Sequence, residues 1–282
     1  MSHPGAPTVS VVISTYQRPE ACERALLSAL EQSEPPLEVL VCDDGSADDT
    51  EARMRAWEAR DPRVRYLRAP RNTGTPATTR NLGIQHARGD LIAFLDDDDE
   101  WLPGKLAAQL AAAAGGADAI AANALRSDGS LYFAGAPPTW RPTRLDLMRA
   151  NPIITSTAVV AREPLLSVGG FPTDLRTRGL EDYVTWLALA TRGLTFVILG
   201  EPLARYNDAL GDRLSLERAR IQVAVARLLW RHALRRPVAL AGVNAALRHS
   251  LGVLHVLGDE ALIGLRAKRA RASGTVDRAP RS

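Results

Sequence analysis

The sequence predicts an α/β fold built on a mostly parallel sheet with helices on both faces. Three observations predict it. Short apolar runs recur through the N-terminal third, stretches of helical periodicity separate them, and the runs end in polar or acidic clusters. Strands joined by crossover helices form parallel βαβ units, whose sheet must be covered on both sides.

Taken in order, Val9 to Ser14 (VSVVIS) reads as a buried strand, and Pro19 to Gln32 as a helix with Ala25, Leu26 and Leu30 on one face. Leu37 to Cys42 (LEVLVC) is a second strand, closed by the turn-forming Asp43-Asp44-Gly45-Ser46. A helix over Thr50 to Arg60, a strand over Val64 to Leu67 and a helix over Pro76 to Ala87 follow. The fourth strand, Leu91 to Leu95, runs straight into the acids Asp96 to Glu100. Open α/β sheets bind ligands at the carboxyl ends of their strands. Those ends carry Ser14-Thr15-Tyr16, Asp43-Asp44-Gly45 and Asp96-Asp97-Asp98, so three polar clusters converge on one edge.

Composition sets the limits. With 282 residues, 46% hydrophobic and 24% charged, the chain suits a soluble globular protein of one large domain plus an appendage. Cys22 and Cys42 match no metal-ligand or redox spacing, which fits a reducing compartment. The N-terminus lacks the basic and apolar regions of a signal peptide, and no apolar stretch reaches the length of a membrane span. A cytoplasmic protein is expected. From Leu216 onward there are 13 Arg and Lys against 4 acids, a net of +9, so the overall +3 leaves −6 on the first 215 residues. The basic part is expected to meet an anionic membrane surface or acidic partner, or to be only a solvated helix face.

The glycine fingerprint of dinucleotide binders and the phosphate loop GxxxxGK[ST] are both missing. A nucleotide would be held by other means: Asp43 accepting from a base N–H, Tyr16 against the ring, Arg80 on phosphate or base. Five adjacent acids repel one another unless a cation is expected among them. Mn²⁺ or Mg²⁺ takes oxygen ligands and completes its shell with substrate phosphates.

Four stretches, VSVVISTYQRP, VLVCDDGSADDT, NTGTPATTRNLGIQHARGDLIAFLDDDDEWLPGKL and VGGFPTDLRTRGLEDYVTWLAL, together resemble family-two glycosyltransferases of the GT-A fold over residues 8–215. The resemblance implies a nucleotide-diphosphate sugar donor, with UDP-sugar foremost, a divalent metal, and inversion at the anomeric carbon. It places Thr15, Tyr16 and Asp43 on the base and Arg80 on the nucleotide, with Arg18, Asp44, Gly74 and Asp97 in the same binding set. Asp96 and Asp98 are the acids of the DxD motif: Asp98 for metal, Asp96 for ribose or metal, with Asp99 and Glu100 outside. The acceptor would be a glycan, a lipid-linked molecule or a small molecule, in cell-envelope or natural-product glycan biosynthesis. Residues 1–215 form the catalytic domain on this reading, 216–265 a helical extension, and 266–282 a basic, disordered tail. In the extension, Ile221, Val225, Leu228 and Leu229 make an apolar stripe and Pro237 a break. Such helices pack on the catalytic domain, pair in a homodimer, or lie peripherally at the inner face of the cell membrane.

Glu181-Asp182 precedes Trp186, Leu187 and Leu189 at helical spacing, so on residues alone the pair fits an N-terminal charge favoured by the helix dipole. The resemblance makes Asp182 the general base that activates the acceptor hydroxyl, and Glu181 an orienting or acceptor-binding residue. Ser46, Asp48 and Thr50 fit a turn and helix cap better than ligand contact. Gly74 suits a positive-φ turn. Trp101 either shapes the sugar pocket or packs in the core, and Gly169-Gly170-Phe171 either lines the acceptor site or makes a turn. The histidines show no paired spacing with the acids.

One departure stands out. Members of the family often carry a histidine after the second acidic motif, whereas ARYNDALGDRLS has Tyr206, Asn207 and Asp208 instead. Asn207, Asp208, or diphosphate and water would complete the metal shell, with Arg213 and Ser215 on a loop over the diphosphate. Asn123 to Arg149 is expected to select the acceptor. A nucleotidyltransferase would need a Gly-rich basic loop in place of STYQRPEA, and a non-catalytic nucleotide-sugar-binding module would have lost one acidic motif. Nucleic-acid binding by the basic end is the weakest reading.

Overall fold

Val9–Thr15 (β1) is buried at every position, as the central strand of a doubly covered sheet must be. It leads through a short loop to α1 (Pro19–Leu30), where proline occupies the first helical turn and its missing N–H costs no hydrogen bond. β2 (Glu38–Asp43), α2 (Thr50–Arg60), β3 (Val64–Arg68), α3 (Pro76–His86) and β4 (Leu91–Asp96) follow, each within two residues of its sequence-based bounds. The computed structural model describes residues 7–207. Asp208, Arg213, Ser215, the residue 215 boundary, the helical extension, the basic tail, His3, His232, His249 and His255 lie outside them.

The second half of the sheet was not assigned from sequence, although the helix opening at Glu181 was. It comprises β5 (Glu100–Trp101), α4 (Lys105–Ala114), β6 (Ala119–Leu125), β7 (Thr139–Trp140), α5 (Arg144–Arg149), β8 (Val159–Ala161), α6 (Arg162–Val168), α7 (Glu181–Thr191) and β9 (Phe196–Arg205). Nine strands form one sheet in the order β3-β2-β1-β4-β8-β6-β9-β5, with β7 also on β9. The pairs β1–β2, β1–β4, β2–β3 and β6–β9 are parallel. β8 enters antiparallel between β4 and β6, and β5 and β7 pair antiparallel with β9. The register sets Thr15 beside Asp43 and Ser14 beside Asp96, so the polar clusters do end at one edge.

Alternate residues of each strand face opposite layers. Val9, Val11 and Ile13 join Val39, Val41, Leu91, Ala93 and Leu95 against Leu26 of α1, Met54 of α2 and Leu106 of α4. On the other face Phe94 meets Phe171 edge-on, with ring centroids 5.1 Å apart, and Trp186 of α7 at 6.5 Å. Cys22 and Cys42 are free thiols buried in the core. Among the described residues no helix is long and apolar enough to cross a membrane.

Gly83 shows how closely α3 lies on β1. A Cβ there would sit 2.4 Å from Val12 Cγ1 and 2.6 Å from Cγ2. Gly83→Ala should therefore cost about 1–3 kcal/mol, as overpacking does. Adding Val12→Ala should return part of that loss in a denaturant titration; strictly additive losses would contradict the contact.

Candidate active site

The carboxyl edge is shaped by bonds between loops. Asp44 accepts from Thr73 N at 3.0 Å, Thr73 Oγ1 at 2.8 Å and Gly74 N at 3.2 Å, pinning the loop before α3 to the end of β2. Gly45, at φ +76°, lets that loop pass, since a Cβ would meet Arg71 C at 2.8 Å. Gln17, at φ 53°, donates its N–H to Ser46 Oγ and turns the β1 loop over the same edge. The result is a cavity of about 460 Å³ bordered by Thr15, Tyr16, Arg18, Asp44, Gly74, Arg80, Asp96, Asp97 and Asp98, so most of the nucleotide and metal candidates meet there. Asn72, Thr75, Thr79 and Arg178 also line it without having been singled out in the sequence.

Asp43 is not on that wall. It is fully buried, accepting from Ser46 N and Oγ and from the Tyr66 hydroxyl, and so locks the turn from behind. Ser46 spends its hydroxyl on this lock rather than on a cap, while Asp48 accepts from Thr50 N and Oγ1 at the start of α2. Trp101 packs in the core, its ring under the Lys105 ammonium at 3.9 Å and its Nε1 donating to Ser156 O. Phe171 likewise belongs to the aromatic core, and Gly170 lies against Asn81, so neither borders the site.

The five consecutive acids are each paired, two of them through one arginine. Asp96 accepts from Arg80 Nη2 at 2.6 and 2.9 Å. Asp97 accepts from Thr15 Oγ1 and Arg18 Nη1, and Asp98 from the same Arg18 nitrogen at 2.7 Å. Asp99 is buried, bonded by the Ser156 hydroxyl and by Asn207 N at 2.8 Å. Glu100 pairs with Arg24 at 3.3 Å. Burial pushes the Asp97 carboxyl up to about 6, against the pull of Thr15 and Arg18. Burial and the neighbouring Asp96 push Asp99 up to about 8.

A second, smaller cavity of about 260 Å³ adjoins the first through shared walls at Arg80 and Asp96. Asp182 and Glu181 border it, with Asn151, Thr155, Tyr132, Phe133 and Tyr206. Asp182 accepts from Asn151 Nδ2 at 3.2 Å, Thr155 Oγ1 at 3.1 Å and Tyr183 N at 2.6 Å. Burial nonetheless holds its carboxyl above the usual carboxylate range, with Arg80 and these donors opposing. Glu181 is buried, 3.6 Å from Arg80 Nη1, and its carboxyl too is pushed up by burial. Burial works against the Arg80 charge, but Asp96 and Glu181 more than offset it.

Among the described residues no three His, Cys, Asp or Glu side chains converge in a metal-holding group. Asp96 and Asp98 border one cavity as a two-carboxylate oxygen set, which suits a hard cation that keeps waters and substrate phosphates in its shell.

A parallel sheet with paired acids at its carboxyl edge, continued into a mixed half that carries a second acidic pair, defines a glycosyltransferase of the GT-A class. The chain belongs to glycosyl transferase family 2, whose model matches residues 10–161. It is 31% identical over 206 residues to TuaG of Bacillus subtilis, a glycosyltransferase assigned to teichuronic acid biosynthesis, covering 71% of this chain and 79% of TuaG. It is 36% identical over 102 residues, 36% of this chain, to WfgD of Escherichia coli, a UDP-Glc:α-D-GlcNAc-diphosphoundecaprenol β-1,3-glucosyltransferase, of which it spans 39%. The fold matches the Pyrobaculum calidifontis mannosyltransferase solved with GDP-Man and Mn²⁺, at TM-score 0.63 and 22% identity over 94% of this chain and 80% of that one. The nucleotidyltransferase and non-catalytic readings are set aside by this membership.

Asp97 and Asp99 both hold their protons above the ordinary aspartate value of 3.8. The stability they lend is full at low pH and is lost as pH rises through about 6 and then about 8. The thermal midpoint of the ligand-free chain should therefore fall between about pH 4 and about pH 8, and Asp99→Asn should flatten the upper part of that fall. A midpoint rising over this window would contradict the burial of these acids.

Proposed function

We propose that this glycosyltransferase moves a sugar from a nucleoside-diphosphate sugar, a UDP-sugar foremost, to a hydroxyl of a lipid-linked glycan acceptor of the cell envelope, with inversion. The observation that carries the reading is the pair of adjoining cavities. One is bordered by the nucleotide and DxD candidates, the other by Asp182, and Arg80 and Asp96 belong to both. The donor class is supported by the UDP-Glc in the name of WfgD, and the acceptor class by its diphosphoundecaprenol. The envelope context is supported by TuaG.

The roles follow from chemistry. Tyr16 packs against the base at the exposed rim, and Thr15, Asp44 and Gly74 form the wall around the nucleoside. Asp43 acts from behind that wall by holding the turn. Arg18 bridges Asp97 and Asp98 and offsets their mutual repulsion. Mn²⁺ or Mg²⁺ held by Asp98 and Asp96 supplies, when bound, neutralisation of charge on the leaving diphosphate. Asp182 accepts the proton of the acceptor hydroxyl as its oxygen bonds to the anomeric carbon. The sugar–phosphate bond breaks, and its electron pair leaves on the β-phosphate oxygen. Burial makes Asp182 a stronger base than a solvated aspartate, while Thr155 and Asn151 aim it. Glu181, fixed by Arg80, borders the acceptor side.

Calorimetric titration with UDP, GDP, dTDP and CDP tests the donor reading. One of them should bind in Mn²⁺, less in chelator, and less again after Asp98→Ala; no binding of any would sink the reading. Asp182→Asn should lower kcat by about 10²- to 10⁴-fold with donor affinity unchanged. The acid limb of kcat/KM should lie above the ordinary aspartate value and belong to Asp182, since protonation from below removes the base. Unchanged turnover in Asp182→Asn would remove it from the mechanism.

A further inference from the structure

The arginines of the larger cavity are not equivalent. Arg18 is spent on Asp97 and Asp98, and Arg80 on Asp96 and Glu181. Arg178 borders the same cavity, is exposed, and among the described residues its guanidinium makes no hydrogen bond or ion pair. The cavity's acids, Asp44, Asp96, Asp97 and Asp98, outnumber its arginines, so the site resists an anion unless positive charge is supplied.

Local structure aims Arg178 there. The segment between α6 and α7 closes on itself through Thr177 N to Asp174 O at 2.8 Å and Leu180 N to Thr177 O at 2.8 Å. Gly179 then takes φ +77° with nothing near its missing Cβ. One residue later the wall belongs to the other cavity: Arg178 borders the larger, Gly179, Glu181 and Asp182 the smaller. A planar guanidinium without a partner matches the spacing of phosphate oxygens and can engage two at once.

We propose that Arg178 binds the diphosphate of the donor and holds the nucleoside diphosphate as it leaves. The proposal rests on the nucleoside-diphosphate sugar reading above. Charge that develops on the β-phosphate oxygen when the sugar–phosphate bond breaks is met by a cation one turn of chain away from Asp182, so leaving-group and acceptor contacts come from a single loop.

Titration of the 282-residue chain in Mn²⁺ with UDP, UMP and uridine, or the guanosine series if that one binds, tests this. Arg178→Gln should weaken the diphosphate about 10-fold or more and leave the nucleoside unchanged, and Arg178→Lys should recover part of the loss. The residue is exposed, and an unshifted thermal midpoint would show that the variants fold. If the diphosphate binds Arg178→Gln as it binds the unmodified chain, or if diphosphate and nucleoside weaken equally, the proposal is overturned. If the unmodified chain binds no nucleoside diphosphate at all, the donor reading falls first, and Arg178 loses its ligand with it.

Discussion

The guanidinium of Arg80 is the constraint on which the rest of the site depends. It projects from α3 into a position with almost no solvent, where an isolated charge would be prohibitive. It is tolerable because Asp96, at the end of β4, and Glu181, at the start of α7, both lie against it. Those two acids come from the two halves of the sheet's carboxyl edge. Arg80 therefore ties the parallel half, with its nucleotide candidates, to the segment that carries Asp182. Removing one member of such a group leaves an uncompensated buried charge, which costs about 3–5 kcal/mol. The Phe171 ring below, 5.4 Å from the guanidinium carbon, adds a second reason for its orientation.

The same economy of pairing accounts for LDDDDEW. Five adjacent acids look incompatible only if they share a volume. A two-residue strand, β5, follows a tight turn in which Asp99 N bonds Asp96 O, so successive side chains diverge. Asp97 goes back to β1, Asp98 to Arg18, Asp99 into the core, and Glu100 to α1. Only Asp96, Asp97 and Asp98 border the cavity. Asp99 links this loop to β9 through Asn207 N and to the segment before β8 through Ser156. The acidic run is thus both a cavity-facing cluster and a structural junction.

The N-terminal half was legible because its signals are local. Continuous apolar runs, proline at helix starts and Asp-Gly turns gave four strands and three helices nearly to the residue. β6 is written AIAANAL, whose alanines do not read as strand, and its pairing is earned by burial between β8 and β9. β8 has three residues, and β9 contains Gly200 and Pro202, where its register with β6 shifts. The site divided in the same way. Acids in motifs could be named, but Asn151, Thr155 and Ser156 have no local signature, since they act through partners at least 27 residues away in sequence. Tyr132 and Phe133 fall within the segment expected to select the acceptor, yet nothing in their spacing marks them as cavity wall. Asp43 was named for its motif, and its carboxylate lies buried behind the cavity wall, bonded by Ser46 and Tyr66.

The position of Asp182 joins these threads. An acid in the first turn of a helix is favoured as the anion, and Tyr183 N, Thr155 and Asn151 all donate to it, so each local interaction would make it a weaker base. Burial beside Glu181 overrides them and holds its proton affinity up. In the proposed chemistry that balance serves both needs: the donors fix the direction of the carboxylate, and its partial burial leaves it a stronger base than a solvated aspartate. Neither effect alone would do this. An exposed helix-start aspartate would be aimed but weak, and a buried one without donors would stay protonated.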